Sequence, residues 1–336
     1  MKAIVKEKPG PGFALREVPV PQAKPGTVIV QVKAVGICGS DIPIFEGVRD
    51  VPYPLIPGHE FAGVIAEVGP GVADWQVGDR VAAGLVIGCG ECLYCRRGQE
   101  VLCDNLKEIG FHVDGAYAEY VRVPVANLHR LPDELSFYQG ASVDPVASSY
   151  HGLRRLNLRP EDTVVIFGDG PIGLYASQVV RARGVERVML IGHHDHRLEV
   201  AAGFGATVVN SHRQDPVEAV ARFTDGRMAD LVVEATGAAK VMPAVLNSTA
   251  KGGTVLLLGI FHHEAPLNPA PIIRHELRVV GSFCYSKEAF AASLELLRRG
   301  CVRIDSIVTH VFPLEEIGRA LELLKRREAI KVILEP

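Results

Sequence analysis

The chain has 336 residues, 48% of them hydrophobic, and a formal net charge of −3, so it is long enough for two domains with separate buried cores. Acidic and basic residues are interspersed, which leaves no basic face for a nucleic-acid backbone and no polybasic segment for a membrane surface. No run of about 18 uncharged apolar residues occurs, so nucleic acid and membranes are both excluded as expected partners.

The first part of the chain has the pattern of short strands. Residues 1–6, 27–35 and 63–68 are valine-rich or apolar runs bounded by glycine and proline, as is typical of strands between turns. Little helical periodicity occurs before about residue 145, so we predict a β-rich first domain over residues 1–146. No signal peptide is recognisable at the start, and we therefore expect a cytoplasmic protein.

Five cysteines of this first domain fall into two groups. Cys38 stands alone. The other four, spaced Cys-x2-Cys-x2-Cys-x7-Cys, are Cys89, Cys92, Cys95 and Cys103. Thiolates spaced so densely are typical of a closed tetrahedral zinc site, which predicts a zinc-binding lobe at about residues 86–105. Two disulfides are the alternative, but a chain of this length can build a core without them.

From about residue 147, apolar strands alternate with segments of helical period. The predicted strands are residues 163–167, 187–191, 207–210, 231–234, 254–258 and 278–282. This alternation is typical of βαβ units, so we predict an α/β protein whose second domain, residues 147–282, is a doubly wound parallel sheet of the Rossmann type.

The last segment, residues 283–336, contains two predicted helices and one predicted strand. The helices are residues 287–299 and about 314–326, and the strand is residues 330–334. Because the parallel sheet already has its six strands, we expect this segment to return to the first domain.

A glycine-rich turn follows the first strand of the second domain and precedes a helix over residues 172–183. Its residues are Gly168, Asp169, Gly170, Pro171, Ile172 and Gly173. In a dinucleotide site the first glycine makes the tight turn, the second admits the pyrophosphate, and the third packs helix against strand. Because the helix N-terminus offers free N–H groups to phosphates, the turn predicts a dinucleotide site, with a plain glycine turn as the alternative.

The end of the next strand bears on which cofactor is bound. An acidic residue there would bind the ribose hydroxyls of NAD, but this chain has Gly192. Without a carboxylate, a repulsion of about 4 kcal/mol against the 2′-phosphate at about 4 Å is removed. His193, His194 and Arg197 then become donors for that phosphate, so we favour NADP over NAD. In the alternative, Asp195 takes the acidic role and the histidines are simply exposed.

The motifs together resemble those of the zinc-containing medium-chain dehydrogenase/reductase family, in the family's order and along the whole chain. They are Cys38-Gly39-Ser40-Asp41, Gly58-His59-Glu60-x2-Gly63-x5-Gly69, the four cysteines and Gly168-x-Gly170-x2-Gly173. The resemblance implies a GroES-like catalytic domain, interrupted by a Rossmann domain, with the active site in the cleft between them.

The resemblance also implies a catalytic zinc ion. Cys38 and His59 match two of its ligands, and Glu60 matches a neighbouring carboxylate that binds directly or through water. The third fixed ligand falls at Asp144, where the alcohol-dehydrogenase branch has a cysteine. With the four-cysteine site, this implies two zinc ions per chain, one catalytic and one structural.

Ser40 matches the hydroxyl that passes the alcohol proton towards solvent in this family. Many relatives complete that relay with a histidine at the position of Pro43. Proline neither donates nor accepts a proton, so the relay must end elsewhere in this chain.

The resemblance favours the branch of polyol, sugar-alcohol and aminocyclitol dehydrogenases. The expected reaction is reversible hydride transfer between a secondary alcohol and a nicotinamide cofactor, with zinc as the Lewis acid. Alternatives are an L-threonine 3-dehydrogenase, a simple secondary alcohol dehydrogenase, a zinc-binding module without enzymatic activity, and a relative that has lost catalysis. The expected partners are a small hydroxylated substrate and further copies of the chain in a dimer or tetramer.

Overall fold

The computed structural model describes residues 1–265 and 267–336, and the chain divides into two compact units. Unit 1 comprises Met1–Asp144, Ser286–Arg298 and Ile304–Pro336. Unit 2 comprises Pro145–Tyr285 and Arg299–Arg303.

Strands predominate before Phe137, and strands alternate with helices from Thr163 onward. The strands are β1 (Lys2–Val5), β2 (Ala14–Glu17), β3 (Thr27–Gly36), β4 (Glu60–Val68), β5 (Arg80–Ala83), β6 (Val86–Ile87), β7 (Lys107–Glu108), β8 (Tyr120–Pro124), β9 (Leu128–Arg130), β10 (Thr163–Phe167), β11 (Arg187–Gly192), β12 (Thr207–Asn210), β13 (Ala229–Glu234), β14 (Thr249–Leu257), β15 (Arg278–Gly281), β16 (Val308–Pro313) and β17 (Lys331–Glu335). The helices are α1 (Asp41–Glu46), α2 (Leu93–Arg96), α3 (Phe137–Ala141), α4 (Val143–Arg154), α5 (Pro171–Ala182), α6 (Asp195–Gly203), α7 (Pro216–Phe223), α8 (Met242–Asn247), α9 (Ala270–Arg274), α10 (Lys287–Arg298) and α11 (Ile317–Lys325).

Unit 1 is built on a mixed sheet with β3 at its centre. The strand order is β16-β17-β3-β4-β5-β9, and β8 also pairs with β3. β3 pairs antiparallel with β4 along most of its length, while β8 and β17 share its other edge. Its valine-rich sequence suits this position, because β-branched side chains pack well on a pleated surface covered by neighbours.

The end of β3, the start of β4 and part of β17 meet at one point of this sheet. Gly36, the last residue of β3, pairs with Glu60, the first residue of β4, and with Ile333 of β17. The segment after β3, the residue before β4 and the start of β17 therefore lie next to one another. This convergence positions the site described below.

Unit 2 is the predicted doubly wound sheet. Its strands are all parallel, in the order β12-β11-β10-β13-β14-β15, which is the order of the Rossmann fold. Every residue of β10 is buried, as expected for a strand covered on both faces. The α/β fold class predicted from the sequence is confirmed.

Several predicted elements begin a few residues away from their predicted start, and two of them begin with an irregularity. β14 begins at Thr249 rather than at residue 254, because the register shifts between the Ala229 and Leu231 pairs and so accommodates Gly252 and Gly253. The predicted helix at 314–326 begins as a 3₁₀ turn, Leu314–Glu316, before α11. In both cases the sequence pattern identified the element but not its irregular first turn.

Among residues 1–265 and 267–336, no helix is both long enough and apolar enough to cross a bilayer.

Candidate active site and cofactor site

Cys38, His59 and Glu60, which we call the Cys38 group, lie together where β3 and β4 meet. Cys38 follows the end of β3, His59 directly precedes β4, and Glu60 is its first residue. One potential ligand atom from each of the three lies within 4.8 Å of the others, and His59 and Glu60 are buried. A sulfur, an imidazole and a carboxylate at this spacing fit a zinc ion.

Asp144 lies in the first turn of α4 and is buried. In the described part of the chain it is not a member of the three-residue group defined by the 4.8 Å limit. It nevertheless lies close enough to affect the charge of that group. Burial alone would lower the pKa of His59, but nearby acidic groups raise it to about 10. In decreasing order of effect these groups are Asp41, Cys38 and Asp144.

This high pKa tests whether the site suits a metal ion. The acidic groups around His59 are strong enough to hold a proton on a buried imidazole at neutral pH. A buried pocket that stabilises one positive charge this strongly is suited to a cation. The donor set and the surrounding charge therefore both fit zinc.

Asp41 lies beside His59 of the Cys38 group, and Tyr117 binds Asp41. Neither role was predicted from the sequence. Asp41 Oδ1 lies 3.6 Å from His59 Nδ1, within ion-pair distance but too far for a hydrogen bond. Asp41 Oδ2 accepts hydrogen bonds from the Tyr117 hydroxyl at 2.6 Å and from the Cys38 N–H at 2.9 Å. An acidic residue three positions after Cys38 was the available signal for Asp41.

Lys331, the first residue of β17, neutralises Glu60. Its ammonium forms an ion pair with Glu60 Oε2 and donates to the Ile37 carbonyl at 2.9 Å. Both side chains are almost completely buried, with 2% and 1% of their surface exposed. The pair engages one carboxylate oxygen, so contact between Glu60 and a metal must use the other oxygen or a water molecule. A lysine directly before the apolar run of residues 332–334 was the available sequence signal.

Ser40 occupies the N-cap position of α1, yet its hydroxyl makes no capping hydrogen bond to the described helix backbone. The side chain is half-buried and adjacent to the Cys38 group in sequence. Pro43 lies within α1. The hydroxyl is therefore not committed to holding the helix, which is compatible with a role in proton transfer.

The four remaining cysteines of unit 1 form a second cluster, which we call the cysteine lobe. They are Cys89, Cys92, Cys95 and Cys103, and their sulfurs lie within 4.8 Å of one another. All seven cysteines of the chain are described as free thiols, so the disulfide alternative is not seen. Four sulfurs in this arrangement fit a closed zinc site.

Local backbone provides the polar environment of the cysteine lobe. The N–H of Cys89 lies 3.2 Å from the Cys103 sulfur, and that of Cys92 lies 3.4 Å from the Cys89 sulfur. Hydrogen bonds from the N–H groups of Cys95 and Asp104 lower the pKa of Cys92 to about 6. These donors stabilise thiolate charge, which a dication would then balance.

The glycine-rich turn lies between β10 and α5, as predicted. Gly168 has a φ of 125°, and a Cβ on Gly173 would collide with the Gly168 carbonyl. Gly170 is the N-cap of α5, and Pro171 and Ile172 form its first turn. The turn therefore presents a helix N-terminus with free N–H groups beside a tight loop, which suits a pyrophosphate.

Asp169, within this turn, was not given a role from the sequence. Its Oδ2 accepts hydrogen bonds from the backbone N–H groups of His193 and His194 at 2.8 Å and 2.9 Å. A Cβ on Gly192 would lie 2.5 Å from the Asp169 Cβ. Gly192 is therefore required by close approach of the Asp169 side chain, and not only by the turn.

The other predicted cofactor residues differ in exposure. His193 is exposed and His194 is half-buried. The Arg197 side chain is only 5% exposed, with Nη1 3.9 Å from Asp169 Oδ1. Arg197 is thus a buried positive charge beside Asp169, and not an exposed donor for a cofactor phosphate. Asp195, the alternative acidic residue, binds Asn210 at 2.8 Å and Arg213 at 2.6 Å.

Two family models match the chain. The alcohol dehydrogenase GroES-like domain matches residues 24–133, and the zinc-binding dehydrogenase domain matches residues 171–299. Sorbitol dehydrogenase of Halalkalibacterium halodurans is 36% identical, over 100% of this chain and 99% of its own length. D-Arabitol-phosphate dehydrogenase of Enterococcus avium is 35% identical, over 100% and 97%. L-Threonine 3-dehydrogenase of Bacillus licheniformis is 32% identical, over 100% and 99%.

Solved structures resemble the model over its full length. Alcohol dehydrogenase TADH from Thermus sp. ATN1 has a TM-score of 0.93 and 36% identity, covering 100% of this chain and 99% of its own. A zinc-binding dehydrogenase from Sinorhizobium meliloti 1021 bound to NADP has a TM-score of 0.93 and 32% identity, with the same coverage. A dehydrogenase from E. coli CFT073 complexed with NADH has a TM-score of 0.94 and 30% identity, also with that coverage.

The resemblance inferred from four sequence motifs is thus confirmed along the entire chain, including the GroES-like first domain. With the Cys38 group and the glycine-rich turn both in place, the protein belongs to the zinc-binding dehydrogenases of the alcohol dehydrogenase family and is an oxidoreductase.

Proposed function

We propose that this oxidoreductase reversibly converts a secondary hydroxyl of a polyol, sugar alcohol or cyclitol to a ketone. The observation that carries the proposal is the convergence of Cys38, His59 and Glu60 at a buried point surrounded by acidic groups. The relatives named for sorbitol and D-arabitol phosphate support a hydroxyl-rich substrate.

Cys38, His59 and Asp144 would hold the catalytic zinc ion. Bound there, zinc supplies Lewis-acid polarisation of the substrate hydroxyl, and a nicotinamide cofactor supplies hydride transfer. Asp41 places a carboxylate beside Nδ1 of the His59 ring, and Lys331 holds Glu60 in place through their ion pair.

Ser40 would accept the proton that the substrate hydroxyl releases. Its hydroxyl is not used to cap α1 among the described backbone groups, and it is two residues from Cys38. Because Pro43 cannot continue the transfer, the proton must leave through water or a cofactor hydroxyl.

A second zinc ion, in the cysteine lobe, completes our proposal of two per chain. Its four sulfur ligands would leave no open position, so its role is structural. Metal analysis of the purified protein tests the count directly. We expect two zinc ions per chain, and a value near one would contradict the proposal.

We also propose that NADP is preferred over NAD. Gly192 removes the strand-end carboxylate that would repel a 2′-phosphate, and His193 is exposed beside it. Asp169 is a carboxylate close by, but its side chain is 7% exposed and is engaged by two backbone N–H groups and the His194 ring. It is therefore poorly placed to bind ribose hydroxyls in the manner of an NAD-selecting residue.

From the resemblance alone, we propose a cytoplasmic homo-oligomer, either a dimer or a tetramer. Light scattering coupled to size-exclusion chromatography gives the number of copies. A monomer at micromolar concentration would contradict this part of the proposal.

The substrate class is tested by a panel containing polyols, polyol phosphates, cyclitols, simple secondary alcohols and threonine, each with NAD and NADP. We expect the highest kcat/KM for a hydroxyl-rich compound, at least about tenfold above threonine. The threonine dehydrogenase relative makes threonine the necessary comparison. A highest value for threonine would overturn the polyol proposal, and a tenfold preference for NAD would overturn the cofactor preference.

A further inference from the structure

The turn after β11 is held in shape by Asp169. Oδ2 of Asp169 accepts the N–H groups of His193 and His194, and lies 3.0 Å from the His194 ring nitrogen Nδ1. These contacts use the acceptor capacity of the carboxylate inside the protein. Asp169 therefore holds the backbone at both histidines and the ring of His194.

His193 is at the centre of a group of imidazole rings. Its ring centroid lies 4.1 Å from that of His194 and 4.9 Å from that of His212. His193 and His212 are both exposed. In a dinucleotide fold the end of the second strand is where the adenosine ribose and its 2′ substituent bind. Exposed imidazoles thus stand where NAD-specific proteins place a carboxylate.

Charged and titratable groups near His193 lie on several neighbouring elements of unit 2. They are Asp169 on the glycine-rich turn, His194 before α6, Asp195, His196, Arg197 and Glu199 on α6, His212 and Arg213 after β12, and Lys240 before α8. Asp195 is paired with Arg213 at 2.6 Å, and Asp169 faces Arg197. Lys240 adds a further positive charge.

The balance of positive and negative charge around His193 decides whether this place suits a metal cation or an anion. Asp169, His193 and His194 have the spacing of a metal site. However, the Asp169 carboxylate already faces the Arg197 guanidinium and binds two N–H groups, and Lys240 acts on His193 as well. Positive charge at this distance disfavours a dication and favours an anion.

The protonation of His193 depends on what is bound. In the unliganded protein, burial lowers its pKa; Asp169 opposes this shift, and His194, His212 and Lys240 add to it. His193 is therefore mostly neutral at pH 7 without a ligand. A phosphate dianion beside the ring would favour the imidazolium form, so binding would take up a proton.

We propose that His193 is the residue that selects NADP, donating as an imidazolium to the 2′-phosphate, so that affinity for this phosphate rises as the pH falls from 8 to 6. The proposal rests on the NADP preference proposed above and names its mechanism. Affinity for NAD, which has no charge at this position, stays nearly constant over the same range. Near pH 6 the phosphate itself begins to take up a proton, which limits the effect.

Binding of cofactor fragments tests this without any catalysis. Isothermal titration calorimetry of the full chain, purified with its zinc, compares adenosine 2′,5′-bisphosphate with adenosine 5′-monophosphate at pH 6, 7 and 8. We expect the affinity ratio of the bisphosphate to the monophosphate to rise about tenfold or more between pH 8 and pH 6. One coupled proton allows at most tenfold per pH unit.

Two substitutions of His193 test whether the positive charge of its side chain, and not its size or its hydrogen-bonding capacity, causes the pH dependence. In His193→Gln, a neutral donor, the ratio should fall and should vary with pH no more than about twofold. In His193→Arg, which stays charged, the ratio should remain high at all three pH values. His196→Gln is the matched control, because this exposed histidine lies outside the ring contacts of His193, and it should keep the pH dependence of the parent. The ionisation of the phosphate is common to all four proteins and cancels in the comparison.

The proposal is overturned if the ratio does not change with pH in the parent protein, or if the change persists in His193→Gln. Loss of the pH dependence in His196→Gln would also overturn it, since the titrating group would then be elsewhere. These outcomes are distinct from failure of the proposed NADP preference, which would appear as a ratio below one at all three pH values in the parent protein. Failure of the proposed polyol activity would appear as absent turnover of polyols while fragment binding is unchanged.

Discussion

The Cys38 group and the cysteine lobe belong to the same unit but balance charge in different ways. Around the Cys38 group, the supporting charges include side chains from distant parts of the sequence, and Lys331 reaches Glu60 from β17. Around the cysteine lobe, backbone N–H groups of the same segment donate to the sulfurs, three of them from two or three residues away and the fourth from 14 residues away. The first site depends on the assembled fold, whereas the second is largely contained in its own loop.

This difference predicts that the Cys38 group affects the reaction, whereas the cysteine lobe affects local folding. A site that needs distant strands for its charge balance is sensitive to changes far from its ligands. A site closed by local thiolates gains its structure from metal binding itself. Substitutions in the two sites should therefore have different consequences for turnover, metal content and stability.

The largest expected effect is that of Cys38→Ser. Removing the thiolate should release the catalytic metal ion and lower kcat/KM by roughly 10³-fold or more, because a Lewis acid contributes several kcal/mol to such reactions. Zinc content should fall from two per chain to one, as measured by elemental analysis. Cys301→Ser, outside both cysteine groups, is the matched control and should retain parental turnover and zinc. Parental turnover in Cys38→Ser would remove the Cys38 group from the mechanism.

Lys331→Met tests whether the Cys38 group depends on a distant strand. Glu60 would be left as a buried charge without its cation, which should destabilise the protein by about 3–5 kcal/mol. Urea unfolding followed by circular dichroism measures the loss. Glu60→Gln combined with Lys331→Met removes both charges and should recover most of the stability. A single variant as stable as the parent would show that the ion pair does not support the site.

Ser40→Ala should have a smaller effect, lowering kcat by roughly 10²-fold, within the range of acid–base groups. Because the hydroxyl does not cap α1 among the described backbone groups, thermal stability and zinc content should be unchanged. Ser40→Thr keeps the hydroxyl and should recover much of the turnover. Turnover of Ser40→Ala within twofold of the parent would exclude Ser40 from proton transfer.

The smallest effect on turnover is expected for Cys92→Ser, in the cysteine lobe. Here zinc content should fall to one per chain and the lobe should become sensitive to proteolysis, because metal binding and local folding are coupled. The kcat of the surviving protein should stay within about twofold of the parent. If kcat fell as far as in Cys38→Ser, the contrast between the two sites would be wrong.

Local patterns made much of this architecture predictable. The alternation of apolar strands with helical segments predicted the parallel sheet, and the glycine-rich turn was found in its expected place between β10 and α5. Each of these signals lies within a few tens of residues. The spacing of the four cysteines is equally local, and their sulfurs do converge in the structure.

The supporting residues of the Cys38 group could not be predicted in the same way. Lys331 and Ile37 are 294 positions apart, and Tyr117 and Asp41 are 76 positions apart. No periodicity links such pairs, since their contact depends on which strands become neighbours in the sheet. Asp169 was missed for a different reason, because its partners are backbone N–H groups, which carry no sequence signature.

The pairing of β17 with β3 has a consequence for the order of events in folding. The ammonium that pairs with Glu60 is carried by β17, which is far from β3 and β4 along the chain. Contacts between such distant segments form only after a large loop has closed, which costs conformational entropy. During refolding, the Glu60 carboxylate therefore stays without its cation until β17 has docked on β3, so assembly of this sheet comes before a complete Cys38 group.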